Sequence, residues 1–174
     1  MIRVVRGDMA VLDVHGLVRA VRSDLAPIDA AARDLVAAAG PELVERLEGV
    51  GVLPVGGAVL TPAGRLAADY LIHIVVMSEE EPQTTLSIQR ALRNGLRRAS
   101  DWGLESLAVP VLGLGAGTIE PETPARALVD ILCNHLDEGV PPLELTIAVD
   151  SDFEHEIFER LVEAAERLRG SARN

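Results

Sequence analysis

Two hydrophobic patterns alternate along the chain. Near-continuous apolar runs fall at residues 2–5, 16–21, 71–76, 106–112 and 143–149, with a sixth and less apolar one at 58–61. Runs of this length predict strands covered on both faces. Between them, apolar residues recur every three or four positions, which predicts helices with one buried stripe. The stripes are Ile28, Ala31, Ala32, Leu35, Val36 and Ala39; then Ile88, Ala91, Leu92, Leu96 and Ala99; then Ala125, Leu128, Val129, Leu132 and Leu136; and Ile157, Leu161, Ala164 and Leu168. Thr84 or Thr85, Thr123-Pro124 and Asp152 are suitable helix starts, while Gly40, Gly103 and Gly139 are suitable stops. Strands alternating with helices predict a three-layer α/β/α domain.

Composition narrows the picture. A chain of 174 residues fits one domain, expected over residues 1–170 with 171–174 as a disordered tail. The acidic segment 78–83 is too short to be a linker, and no internal repeat is present. Hydrophobic residues make up 48% of the chain, yet its aromatics are only Tyr70, Trp102, Phe153 and Phe158, so the core is built from aliphatic side chains. No apolar run approaches the roughly 20 residues of a bilayer span, and Met1-Ile2-Arg3 leads straight into a strand. A cytoplasmic protein without a membrane partner is expected. The net charge of −11 argues against nucleic acid, whose binding depends on neutralising phosphates with basic residues. All 16 basic residues are arginine, which excludes a lysine nucleophile or Schiff base.

Chemistry concentrates in Val109-Pro110-Val111-Leu112-Gly113-Leu114-Gly115-Ala116-Gly117-Thr118. A strand that ends in alternating glycines ahead of a helix presents free backbone N–H groups to an anion, and so reads as a phosphate cradle. It is not a Walker loop, since no Gly-Lys-Ser/Thr follows, and Thr118 stands where a dinucleotide fingerprint has its third glycine. Other polar residues add little. His73 lies inside an apolar run and reads as a satisfied core residue; His15, His135 and His155 lack metal-ligand spacing; Glu120 and Glu122 suit a helix start; Cys133 is a small apolar helix residue. No catalytic triad, metal or cofactor is implied.

Arg6-Gly7-Asp8-Met9, residues 14–25, residues 57–74 and the glycine stretch occur in an order that resembles the macro domain, the ADP-ribose-binding module, over nearly the whole chain. The resemblance implies a mixed central sheet flanked by helices. It implies that Asp8 accepts a hydrogen bond from the adenine amine and that Met9 offers backbone beside it. It places the diphosphate on Gly113, Leu114, Gly115, Ala116, Gly117 and Thr118, with Ile119 flanking the distal ribose. In the family's glycine loop, Leu114 replaces a hydroxyl residue and Thr118 a glycine, which weakens binding without abolishing it.

The distal-ribose end departs from the family. Where hydrolytic members carry I-V-N-A-A-N, this chain reads Leu17-Val18-Arg19-Ala20-Val21-Arg22, and three glycines and a valine become Ile28-Asp29-Ala30-Ala31. Asp29 adds negative charge where an anion is expected. Arg19 reads as a solvated strand-edge residue. Arg22, at the ribose asparagine's place, is a ligand-site residue with two outcomes: unpaired, it offers a fork to phosphate; paired with Asp24, Asp29 or Asp34, it plugs the pocket, the favoured outcome, so that Arg22→Asn raises affinity. Three readings follow: a domain that binds ADP-ribose or a related adenine-containing diphosphate weakly and without catalysis, free or on an ADP-ribosylated protein; a hydrolase removing ADP-ribose from a target; and a module that has lost its ligand and serves protein interaction. Oligomeric state is not encoded in these motifs.

Overall fold

The apolar runs form β1 (Ile2–Arg6), β2 (Gly16–Arg22), β3 (Ala58–Pro62), β4 (Tyr70–Met77), β5 (Ser106–Pro110) and β6 (Glu144–Val149). The computed structural model describes residues 1–113 and 120–172. β5 ends at Pro110, two residues before the expected boundary, where a residue without a backbone N–H stops the ladder. The described residues also form α1 (Ala30–Ala39), α2 (Pro41–Val50), α3 (Thr85–Asp101), α4 (Glu122–Glu138) and α5 (Asp152–Ala172).

Local chemistry sets the helix ends. Thr84 and Ser87 close a reciprocal capping box at the start of α3, satisfying two donors that a helix start otherwise leaves orphaned. Gly139 closes α4 at φ +69°, where a side chain would be strained. α4 begins at Glu122, just before the expected Thr123-Pro124 start. α5 continues through Gly170 to Ala172, two residues into the segment expected to be a tail; residues 173–174 lie outside the described residues. α2 is not marked by the periodic pattern, because only Leu43 and Leu47 of it are buried.

The sheet order is β1-β6-β5-β2-β4-β3, with β3 antiparallel to β4 and every other pairing parallel. This is the mixed, helix-covered sheet that the resemblance implies. Alternation along the strands divides the core in two. Val18 and Ala20 of β2, with Ile72, Ile74 and Val76 of β4, pack toward α3, α4 and α5. Leu17 and Val21, with Leu71 and Val75, pack toward α1 and α2. Gly95 lets α3 lie close on β4: a Cβ there would stand 2.8 Å from the Ile74 Cγ2. Among the described residues no helix is long and apolar enough to cross a membrane.

Candidate functional site

Parallel strands bring their C-terminal ends to one edge of the sheet, the usual place for a ligand crevice in open α/β folds. A cleft of about 980 Å³ opens there. Arg6 ends β1, and Asp8 and Met9 follow it; Val18, Arg19 and Ala20 come from β2; Asp29, Ala32 and Asp34 stand on the α1 side; Gly113 follows β5; Ala148 of β6, Asp150 and Glu154 complete the lining beside β1. Its apolar walls are aliphatic, and no aromatic residue lines it among those described.

Asp8 and Met9 are brought together on this wall. Asp8 caps a short 3-10 turn, Met9–Val11, its Oδ1 accepting the Ala10 N–H at 2.9 Å. An ionised carboxylate has further lone pairs, so the cap leaves acceptor capacity at the exposed Asp8. The capping and binding readings of Asp8 are therefore compatible. Gly113, at φ +80°, lines the cleft where the chain leaves β5; a Cβ on it would meet Ile88 Cδ1 at 3.3 Å and Pro124 Cβ at 3.4 Å. Leu114, Gly115, Ala116, Gly117, Thr118 and Ile119 lie outside the described residues.

Arg19 departs from expectation, and Arg22 is not brought to the described part of the cleft. Arg22 is not among the described residues that line the cleft, and it makes no ion pair with Asp24, Asp29 or Asp34. Arg22 pairs with Met77 across a register shift in which β4 carries the extra residue, Val76. Asp24 instead accepts the Ala26 N–H at 3.0 Å. Arg19, expected to be solvated, is 1% exposed. β2 is not an edge strand: it pairs with β4 on one side and β5 on the other, and α1 covers its face.

Arg19 donates from Nε to the Ala32 carbonyl at 3.0 Å and from Nη2 to the Leu25 carbonyl at 3.0 Å; its Nη1 lies 2.8 Å from His73 Nδ1. A guanidinium only donates, so Nδ1 accepts and the ring proton sits on Nε2, which donates to Thr61 Oγ1 at 2.8 Å. Arg19, His73 and Thr61 thus link β2, β4 and β3 through an otherwise apolar layer. Burial, reinforced by the Arg19 charge, holds the His73 imidazole down at about 3, so it is neutral at physiological pH. Burial also lowers Arg19 to about 10, partly offset by Asp29. His73 is the satisfied core histidine that its position predicts.

The remaining candidates are structural. His15 pairs with Ser106, His135 donates to the Pro142 carbonyl at 3.1 Å, and His155 faces Glu159. Cys133 is buried, which pushes its thiol up. Among the described residues no group of histidines, cysteines and carboxylates could hold a metal ion.

The family model described as Macro domain matches residues 18–128. The chain belongs to the macro domain family. A protein of Aquifex aeolicus is 30% identical over 167 residues, 90% of this chain and 96% of its own. An Enterobacter cloacae protein named O-acetyl-ADP-ribose deacetylase is 28% identical over 167 residues, 92% of this chain and 93% of its own. A macrodomain variant of Oceanobacillus iheyensis solved with ADPR superposes with a TM-score of 0.81 at 18% identity, covering 94% of this chain and 92% of that one. The Trypanosoma brucei macrodomain in complex with ADP gives 0.81 at 20% identity, covering 92% of this chain and 68% of that one.

Proposed function

We propose that this chain binds ADP-ribose or a related adenine-containing diphosphate in the cleft at the strand ends, weakly and without turnover. The observation that carries the reading is the cleft itself: its size suits a nucleotide, and Asp8 and Met9 stand on one wall while Gly113 opens the glycine stretch on another. Adenosine belongs beside Asp8 and Met9, with the diphosphate toward Gly113 and residues 114–119. Structural relatives crystallised with ADPR and with ADP support the ligand class.

The weak, non-catalytic part of the reading rests on Arg19, Arg22 and Asp29. Both asparagines of the hydrolytic pattern are arginines here. Arg19 spends its donors on protein acceptors, and Asp29 is engaged in capping α1, its Oδ1 accepting the Ala32 N–H at 2.8 Å. A guanidinium has donors only, so Arg19 cannot serve as the acceptor that orients a water, as an asparagine oxygen can. Losing such a preorganised group typically costs about 10²–10³ in rate.

Calorimetric titration with ADP-ribose, paired with an assay for release of acetate from O-acetyl-ADP-ribose, tests both halves. Saturable binding with no acetate release above background is expected. Absence of binding would remove the nucleotide reading, and release at the rate of an active deacetylase in the same assay would remove the non-catalytic one.

A further inference from the structure

Away from the cleft, α3 differs in charge from the chain around it. It carries Arg90, Arg93, Arg97 and Arg98 against a single acid, Asp101, while the whole chain has a net charge of −11. Arg90 turns back onto the protein, donating to the Val55 carbonyl at 3.3 Å. Arg93 instead lines a groove of about 470 Å³ between α3 and α4, which shares no lining residue with the cleft. Arg126 lines the same groove from α4. Both arginines are exposed, and among the described residues neither forms an ion pair. Of the acids there, Glu122 is paired with Arg160 of α5, which leaves Asp130. Two guanidinium forks thus face one carboxylate without an ion pair, and the groove is a locally positive site on an acidic protein.

The rest of the lining selects among anions. Gln89 of α3 and Asn134 of α4 present side-chain amides that hydrogen-bond nothing else among the described residues. An amide offers both a donor and an acceptor, as pairing with a peptide backbone requires. Ala127 and the buried Ile131 add an apolar strip between them. No aromatic residue lines the groove, so nucleic acid bases find nothing there to stack on. We propose that the groove between α3 and α4 docks an acidic peptide segment of a partner protein, with Arg93 and Arg126 holding its carboxylates and Gln89 and Asn134 its backbone. Arginine clusters recognise acidic motifs through charge-assisted, often bidentate hydrogen bonds. The site is separate from the nucleotide reading above, and a partner held there leaves the cleft at the strand ends open.

Fluorescence anisotropy tests this with a labelled ten-residue peptide of alternating glutamate and alanine, titrated with the full chain at low salt. Saturable binding is expected, and a peptide with glutamine in place of glutamate should bind far more weakly. Exposed ion pairs are individually weak, so Arg93→Gln and Arg126→Gln should each reduce affinity by about two- to fivefold, and the double variant on the order of tenfold. Arg46→Gln, the same charge change on an exposed arginine of α2, should leave affinity unchanged. All three side chains are exposed, so circular dichroism should report an unaltered fold in each variant. High salt weakens the binding through screening. No binding of the acidic peptide, equal binding of the glutamine peptide, or an equal loss in Arg46→Gln overturns the proposal. Tighter binding of a labelled ten-nucleotide single strand, lost in the double variant, would overturn it in favour of nucleic acid.

Discussion

Arg19 Nη1 lies 2.8 Å from His73 Nδ1, across the parallel register that pairs the two residues on β2 and β4. A cation buried to 1% exposure thus rests on a neutral ring and two carbonyls, with no carboxylate in ion-pair contact among the described residues. Burying a charge is expensive unless its donors are met, and here three acceptors on separate segments meet them. The arrangement fixes the rim of the cleft, since Leu25 and Ala32 bracket the β2–α1 connection.

Geometry, beyond charge alone, is what this network uses. In Arg19→Lys the cation persists, but one ammonium cannot reach the Leu25 and Ala32 carbonyls and the His73 nitrogen as the guanidinium fork does. At least one buried acceptor is left unmet, at a cost of about 1–3 kcal/mol. Urea unfolding should show that loss, and an unchanged midpoint would refute the clamp.

The same network makes stability depend on pH. His73 sits at about 3 in the folded chain against a usual 6.5, so the unfolded state binds its proton first as pH falls. Stability from this residue is complete above about pH 6.5 and declines toward pH 3, by about 1.4 kcal/mol per pH unit at the steepest. In His73→Gln the amide accepts from Arg19 and donates to Thr61 without titrating. The variant's unfolding free energy should therefore fall less steeply than that of the natural chain between pH 6 and 4, on the order of one proton's slope less. Parallel pH profiles would show that folded His73 takes up its proton as readily as the unfolded chain does, and so is not held neutral by the network.

Much of this fold is legible in the sequence because aliphatic runs and three-four spacing are direct consequences of burial. The six apolar runs became the six described strands, and Thr84 and Gly139 ended their helices as their chemistry predicts. α2 escaped because two buried leucines in ten residues make too thin a stripe. At the site, it was the resemblance that pointed to Asp8, Met9 and Gly113, and all three line the described cleft, each within three residues of a strand end. Arg19 could not be placed. Its burial depends on β2 being central rather than marginal, which is a matter of strand order. One signal was available: Arg19 and His73 are each a lone basic residue within an apolar run, and such residues are buried only when they satisfy one another.

Asp8 should contribute to binding through acceptor strength at the adenine amine. Asp8→Ala is expected to weaken ADP-ribose binding by about 1–3 kcal/mol. Because Asp8 also caps the turn that follows β1, Asp8→Asn serves as the control: it keeps the cap but halves the acceptors. Calorimetry on both variants, with circular dichroism confirming the fold, decides the point. Full affinity in Asp8→Ala would place the adenine elsewhere in the cleft.

Arg22 provides the contrasting case. It stands at the asparagine position of the hydrolytic pattern, yet it does not line the described cleft. Its backbone is nonetheless held, with the Arg22 N–H on the Ala26 carbonyl at 2.9 Å, so a side-chain replacement leaves the turn intact. Arg22→Asn should accordingly change ADP-ribose affinity by less than about twofold, within the roughly 0.5 kcal/mol typical of surface substitutions. A large gain on titration would mean that Arg22 does intrude on the ligand space. A large loss would mark it as a phosphate contact.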